Sequence, residues 1–258
     1  MMSANQQKFI TSLKVKKYRQ KYQKFTIEGK KMIDEALAQS RIEIESVFAL
    51  PEWIADRQAS LQHFMGAVHE VSKSQLRKLS AFVAPPPALA LARIPAPMPE
   101  ALTVSGACFY LDGLQDPGNV GAIWRIADWF GMPALYCSPD CADPYAPKTV
   151  QASMGAVFRV PVVAVEAAEL RKANPGLPFW GADMNGVDFF AMPEWPARSL
   201  LAIGNEGRGL SAGLRALLDG AVHIPRSPGG GAESLNAAMA AGIFAAGITQ
   251  KIVHSSPK

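Results

Sequence analysis

The chain of 258 residues reads as an α/β protein: a parallel-sheet domain over residues 102–258, preceded by a small α/β module over residues 1–93. Three observations carry that expectation. Beyond residue 101, short apolar runs alternate with helix-like segments, the pattern of a parallel sheet with helices on both faces. A proline-rich stretch, Pro85 to Pro99 (PPPALALARIPAPMP), resists helix and marks the boundary, with residues 94–101 as a semi-rigid connector. Charge is also divided: through Arg93 there are 15 Lys/Arg against 8 Asp/Glu, and beyond it 11 against 14. The whole basic excess therefore sits in the first module, where a polyanion is expected to dock.

The elements follow from spacing. Glu28 to Gln39 has helical periodicity, with Ile33 and Leu37 four apart, Ser46 to Leu50 is strand-like, and Ser72 is placed to cap a helix through Leu79. In the second part the expected strands are Ala107 to Leu111, Ala134 to Cys137, one within Val157 to Val165, Phe179 to Ala182, Leu200 to Ile203 and Val222 to Ile224. Between and after them, helices are expected at Asn119 to Phe130, around Val150 to Met154, at Glu166 to Lys172, Ser211 to Leu218 and Ser234 to Val253. Ligands on such sheets bind at the carboxyl ends of the strands.

Composition narrows the function classes. Hydrophobic residues make up 49% and charged ones 19%, which is globular rather than disordered. Cys108, Cys137 and Cys141 form no CxxC pair and no metal spacing, so buried thiols in a reducing cytoplasm are expected, with no metal. The start, MMSANQQKF, lacks an apolar h-region. The Ala/Gly-rich run Ala237 to Ile248 is shorter than the roughly 20 residues a bilayer requires, so no membrane partner is expected.

Three segments concentrate chemistry. The first, DGLQDPGNVGAIWRIADWFG from Asp112, is a turn entering a helix. It places Asn119 at the helix entrance, an N-cap by residue type, and Arg125 six residues on, a solvated helix arginine on spacing alone. The second, LAIGNEGRGLS (Leu201 to Ser211), delivers Gly204, Asn205 and Glu206 at a strand end, with Gly207 and Gly209 permitting close backbone approach. The third, ESLNAAMAAGI (Glu233 to Ile243), opens a helix of small residues with Ser234 and Asn236, Ser234 again a possible cap. Upstream, eight Lys/Arg fall between Lys14 and Lys31 against the single acid Glu28, with Tyr18, Tyr22 and Phe25 interleaved. Such a run is often only a solvated face, yet the mixture suits phosphate contact with some stacking.

In this order the three segments resemble the signature motifs of the SpoU/TrmH branch of the SPOUT methyltransferases, which methylate RNA, usually at a ribose 2′-hydroxyl. The resemblance implies an S-adenosylmethionine-dependent enzyme whose C-terminal loops form a deep trefoil knot. It implies Asn119, Arg125, Glu206, Ser234 and Asn236 as catalytic residues. The cofactor would be held mostly by main-chain groups of Gly204, Ile224 and Leu235 with neighbours such as Asn205. ADPYAPKTVQASMGAVFRVPV (Ala142 to Val162) resembles the family's link between motifs and offers Lys148 as an RNA contact or a solvated lysine. Leu13 to Leu37 resembles the small RNA-binding domain, related to a ribosomal-protein fold, of the ribosomal-RNA members; Lys14, Lys16, Lys17 and Arg19 are its expected contacts. The chain departs from the pattern at Trp124 and Ile126, and at Arg226 followed by a longer SPGGGA loop. A homodimer built partly on the final helix is implied, with ribosomal RNA favoured over tRNA.

A ribose hydroxyl must lose its proton during transfer, and a guanidinium with pKa above about 12 is a poor acceptor. Arg125 is therefore read as orienting the hydroxyl through the adjacent phosphate, and the proton goes to phosphate, water or Glu206. Two other classes stay open on sequence: a non-catalytic RNA-binding paralogue, and a nucleotide-binding oxidoreductase suggested by the glycine turns. The second lacks a GxGxxG opening the first βα unit.

Overall fold

The computed structural model describes residues 2–39, 41–96 and 99–255. It divides into two compact units, residues 1–96 with 143–158, and residues 97–142 with 159–258.

In the first unit, α1 (Ala4–Ser12), α2 (Lys16–Tyr22), β1 (Lys24–Glu28) and α3 (Lys30–Ala38) lead to β2 (Ile44–Ala49). Two short helices, α4 (Pro51–Ala55) and α5 (Gln58–Leu61), then precede β3 (Ala67–Glu70), α6 (Lys73–Leu79) and β4 (Ala88–Arg93). The sheet order is β1-β4-β2-β3, with β4 antiparallel to both neighbours. This corrects the reading of Pro85 to Pro99 as connector throughout. Prolines bracket Ala88–Arg93 without interrupting it, so every residue of that run keeps its N–H for a ladder, and five of the six are buried. Of the expected connector at 94–101, Pro97 and Met98 lie outside the described residues. Ser72 does cap α6, in a reciprocal capping box with Gln75. The helix expected from Glu28 starts two residues later, because Glu28 pairs with Leu89 in the sheet and Gly29 turns the chain at φ +108°.

The second unit begins with β5 (Ala107–Asp112), α7 (Pro117–Trp129) and β6 (Leu135–Cys137). The chain then leaves it. Residues 143–158, with α8 (Pro147–Ser153), pack with the first unit. There Asp143 pairs with Arg19 at 2.6 Å, the Tyr145 ring lies 5.0 Å from Phe25, and Val157 O accepts from Arg41. Returning, the chain forms β7 (Val162–Ala164), α9 (Ala167–Ala173), β8 (Phe179–Asp188), β9 (Ser199–Gly204), α10 (Ala212–Arg215), β10 (Gly220–His223) and α11 (Ala237–Ser255). All six strands are parallel, in the order β10-β8-β9-β5-β6-β7. Apolar runs such as CFYL in β5 and LLAI in β9 are buried, as a parallel sheet requires.

Three features of this sheet position the site. Asp112 pairs with Gly204, setting the carboxyl ends of β5 and β9 side by side. The β10–β8 register jumps from Gly181 to Val187, so that residues 182–186 are thrown out of the ladder. Finally, α11 packs on α7, joining the helices that carry the first and third segments. Trp124, unusual for the resembled family, is fully buried and its Nε1 donates to Val160 O at 2.9 Å, which accounts for a large indole there.

Candidate active site

The loop after β9 is held by its own polar groups. Asn205 and Gly209 exchange both backbone hydrogen bonds, at 3.0 and 2.9 Å. The Asn205 carboxamide donates to Gly113 O at 2.7 Å and accepts from the amides of Gly207 and Arg208, both at 3.0 Å. Buried Asp112 accepts from Ser211 N at 2.6 Å and from its hydroxyl at 3.2 Å, fixing the other end of the loop to β5. The fold is so tight that a Cβ on Gly204 would lie 2.5 Å from the carbonyl carbon of Gly209, which itself sits at φ +68°.

That loop presents Glu206 to the other two segments. Glu206 Oε1 accepts from Asn119 Nδ2 at 2.7 Å, and Asn119 Oδ1 accepts from Asn236 Nδ2 at 3.0 Å. A carboxylate only accepts, so it fixes the Asn119 amide with nitrogen toward Glu206 and oxygen toward Asn236. Asn236 Oδ1 in turn accepts from the amides of Ala238 and Met239 at 2.9 and 3.3 Å. One residue from each segment thus stands in a single chain of hydrogen bonds.

Two cap assignments change as a result. The N-cap of α7 is Asp116, whose carboxylate accepts from Gly118 N, and Asn119 lies in the first turn with its side chain free to bridge. The final helix starts at Ala237 and its first amides are capped by Asn236, so Ser234 lies two residues before the cap position.

Beside this chain is a cavity of about 730 Å³. Gly204, Asn205, Ile224 and Leu235, expected to hold the cofactor, line it together with Glu206 and Ser234, expected to be catalytic. Asn119, Arg125 and Asn236 lie outside its lining. Sequence reasoning missed Asp183, His223 and Phe244, which also line it. Asp183 comes from the segment ejected from the β8 ladder, and no local pattern announces a register jump. Burial alone would raise the Asp183 carboxyl, but the Asn185 amide and the Arg215 guanidinium at 2.5 Å outweigh it and hold the group below the ordinary aspartate value. His223 Nδ1 lies 2.9 Å from Gly186 O; the carbonyl only accepts, so Nδ1 carries the proton. Arg226 donates to Ala232 O at 3.1 Å, closing the longer SPGGGA loop across the cavity rim.

Arg125 is exposed and makes no hydrogen bond or ion pair among the described residues. Six residues of helix separate it from Asn119 by about 9 Å of rise and about 120° of rotation, so α7 cannot aim both at one point. In the first unit, Lys16 and Lys17 are exposed, Lys14 donates to Lys78 O at 3.0 Å, and Lys148 is exposed on α8. Arg19 is not available for phosphate: it is 3% exposed and its guanidinium binds Asp143 and Leu13 O. A helix arginine whose partner lies 124 positions away cannot be told from a solvated one by sequence. Phe25 is likewise buried.

All three cysteines are buried and none is in a disulfide among the described residues, with burial pushing the Cys108 thiol up to about 12. Among the described residues, no His/Cys/Asp/Glu group is arranged to hold a metal, and no helix is long and apolar enough to cross a membrane.

Comparison with known proteins fits this geometry. The SpoU rRNA Methylase family matches residues 106–246, and the MRM3-like substrate binding domain matches residues 5–90. A 23S rRNA guanosine 2′-O-methyltransferase of Bacillus subtilis (strain 168) is 30% identical over 236 residues, covering 90% of this chain and 91% of its own. A TrmH-family protein structure from Porphyromonas gingivalis superposes with a TM-score of 0.81 at 35% identity, covering 96% of this chain and 98% of that one. The SpoU methyltransferase AviRb of Streptomyces viridochromogenes, in complex with AdoMet, gives a TM-score of 0.87 at 27% identity, covering 99% and 100%. With the three segments joined at one site and both family matches falling on their expected regions, the chain belongs to the SpoU rRNA methylase family.

Proposed function

We propose that this protein transfers a methyl group from S-adenosylmethionine to a ribose 2′-hydroxyl of ribosomal RNA. The observation that carries the reading is the Glu206–Asn119–Asn236 chain of hydrogen bonds at the rim of the cavity. The cavity fits the cofactor. Its floor offers apolar surface from Ile203, Val222, Ile224, Leu235 and Phe244, backbone donors and acceptors at the strand ends, and the carboxylates Asp183, Glu206 and Glu233 for a cationic ligand. S-adenosylmethionine, when bound, supplies an electrophilic methyl on a sulfonium.

The protein's own groups prepare the hydroxyl. Glu206 has one oxygen held by Asn119, while Oε2 makes no hydrogen bond among the described residues, so it is the proton acceptor in this scheme. Asn119 keeps that carboxylate aimed and is itself held by Asn236. Arg125 stays protonated and positions the neighbouring phosphate.

We infer a homodimer that completes the site. Trp129 is 82% exposed, four residues beyond Arg125 on the same face of α7, and Met239 on the packed α11 is 64% exposed. A second copy covering these side chains would present its Arg125 to the first copy's Glu206. Mixing the inactive variants Arg125→Ala and Glu206→Ala then restores activity to about a quarter of the parent, because one site in each mixed dimer is intact. No recovery on mixing would overturn the shared site. The trefoil knot expected of the family belongs to this proposal too, supported by β10 returning to the sheet edge before α11 packs back on α7. Buried cysteines outside any disulfide suit a reducing cytoplasm.

The substrate is tested by profiling alkaline-resistant 2′-O-methyl positions in total RNA from a strain lacking the gene. Loss of one ribosomal position is expected. An unchanged ribosomal profile with a lost tRNA position would redirect the proposal, and no loss anywhere would favour a non-catalytic RNA binder.

A further inference from the structure

The first unit carries a basic surface with aromatic rings set into it. From Met2 through Ile27 the sequence has seven Lys/Arg and no Asp or Glu. Two of the seven are neutralised within the fold, Arg19 by Asp143 and Lys24 by Glu45. Lys16, Lys17 and Lys21 on α2 remain exposed, and α6, packed on α1, adds exposed Lys73, Arg77 and Lys78.

Within this positive field stand two partly exposed tyrosines. Tyr18 and Tyr22 lie one helical turn apart on α2, 37% and 38% exposed, with ring centroids 6.2 Å apart and planes within 11° of parallel. Phe9 of α1 braces Tyr22 edge-on at 5.0 Å, and Lys21 Nζ lies 5.4 Å from the Tyr22 ring centre. These contacts restrict the rings, and more than a third of each tyrosine is still open to solvent. Flat, pre-oriented aromatic faces among lysines suit a polyanion that also has flat π-faces to offer.

Building on the RNA reading, we infer that this face is a stacking platform for unpaired nucleotides. Bases lie on Tyr18 and Tyr22, and Lys16, Lys17 and Lys21 hold the flanking phosphates. In a duplex the base faces are covered by their neighbours, so the platform selects single-stranded or looped RNA over helical RNA. An anionic membrane would satisfy the lysines but leaves the parallel rings unexplained.

The test uses the full chain and a fluorescein-labelled, unstructured RNA of about 12 nucleotides, alone and annealed to its complement, with binding read by anisotropy. The single strand is expected to bind about tenfold or more tightly than the duplex, and Tyr18→Ala and Tyr22→Ala each to lose about tenfold. Tyr18→Phe and Tyr22→Phe should retain binding, since they keep the ring. The slope of log affinity against log salt should be unchanged in the alanine variants of the tyrosines and shallower in Lys16→Ala and Lys17→Ala. Equal affinity for strand and duplex, alanine variants that bind like the parent, or tighter binding to vesicles of acidic lipid than to RNA would each overturn the platform. Calorimetric binding of S-adenosylmethionine by the parent and the tyrosine variants separates the two readings: its loss in the parent counts against the enzyme proposal, and its retention in the variants places any RNA defect on this face.

Discussion

Asn119 does two jobs with one carboxamide, donating to Glu206 and accepting from Asn236. Replacing it with aspartate removes the donor and sets two carboxylates face to face, which disfavours the ionised form of both. We expect Asn119→Asp to lower kcat by about 100-fold or more while leaving S-adenosylmethionine affinity within a few-fold, because Asn119 lies outside the cavity lining. Single-turnover kinetics and calorimetry separate the two; an equal loss in both would show Asn119 to be a cofactor residue. At this scale the sequence was informative about identities and weak about partners. Asn119, Glu206 and Asn236 were legible from their places in the three segments. The α7 cap was not, because Asp116 and Asn119 are both good caps three residues apart and only tertiary contact decides between them. Arg19 was misassigned for the same reason: charge is visible in a sequence, and its neutralisation by a distant residue is not.

Among the elements, the β9 loop is the least tolerant of change. Gly204→Ala would force a methyl into the Gly209 backbone, and backbone cannot swing aside as a side-chain end can. A loss of about 1–3 kcal/mol is expected, together with lost cofactor binding, measured by denaturant unfolding and calorimetry. The ejected segment of β8 has its own signature in acid. Asp183 is held below its ordinary value of 3.8, so its carboxylate stabilises the fold above that value, and the stabilisation is lost as pH falls through and below it. Asp183→Asn should therefore be less stable than the parent at pH 7, with the difference shrinking as pH falls below about 3.8. A constant difference in melting temperature across that range would exclude the linkage. Alternating apolar runs made the parallel strands of the second unit readable. β4 was hidden because prolines on either side gave its surroundings the composition of a connector, and α1 and α2 because polar, basic helices carry little apolar periodicity.

Over the whole molecule, the charge division along the sequence survives as a division between units, with the basic face on the first and the candidate active site on the second. What no linear pattern conveyed is that the first unit is discontinuous, claiming residues 143–158 from within the second half of the chain. The anchor of that segment is the Arg19–Asp143 pair, whose side chains are 3% and 12% exposed. Removing one partner strands a buried charge, so Asp143→Ala is expected to destabilise the protein by about 3 kcal/mol, read from chemical denaturation. A change near zero would mean that the segment is held by its apolar contacts, such as Tyr145 on Phe25, alone.

A discontinuous unit also has a schedule. On the ribosome, Arg19 emerges early, while its acid is made more than a hundred residues later. At synthesis rates of about 5–20 residues per second, the first unit waits several seconds for its last piece. Through that interval its guanidinium has no carboxylate and Phe25 lacks its aromatic neighbour. The nascent chain thus cannot complete its first unit before the whole of β5, α7 and β6 has been made, which couples maturation of the two halves in time as well as in sequence.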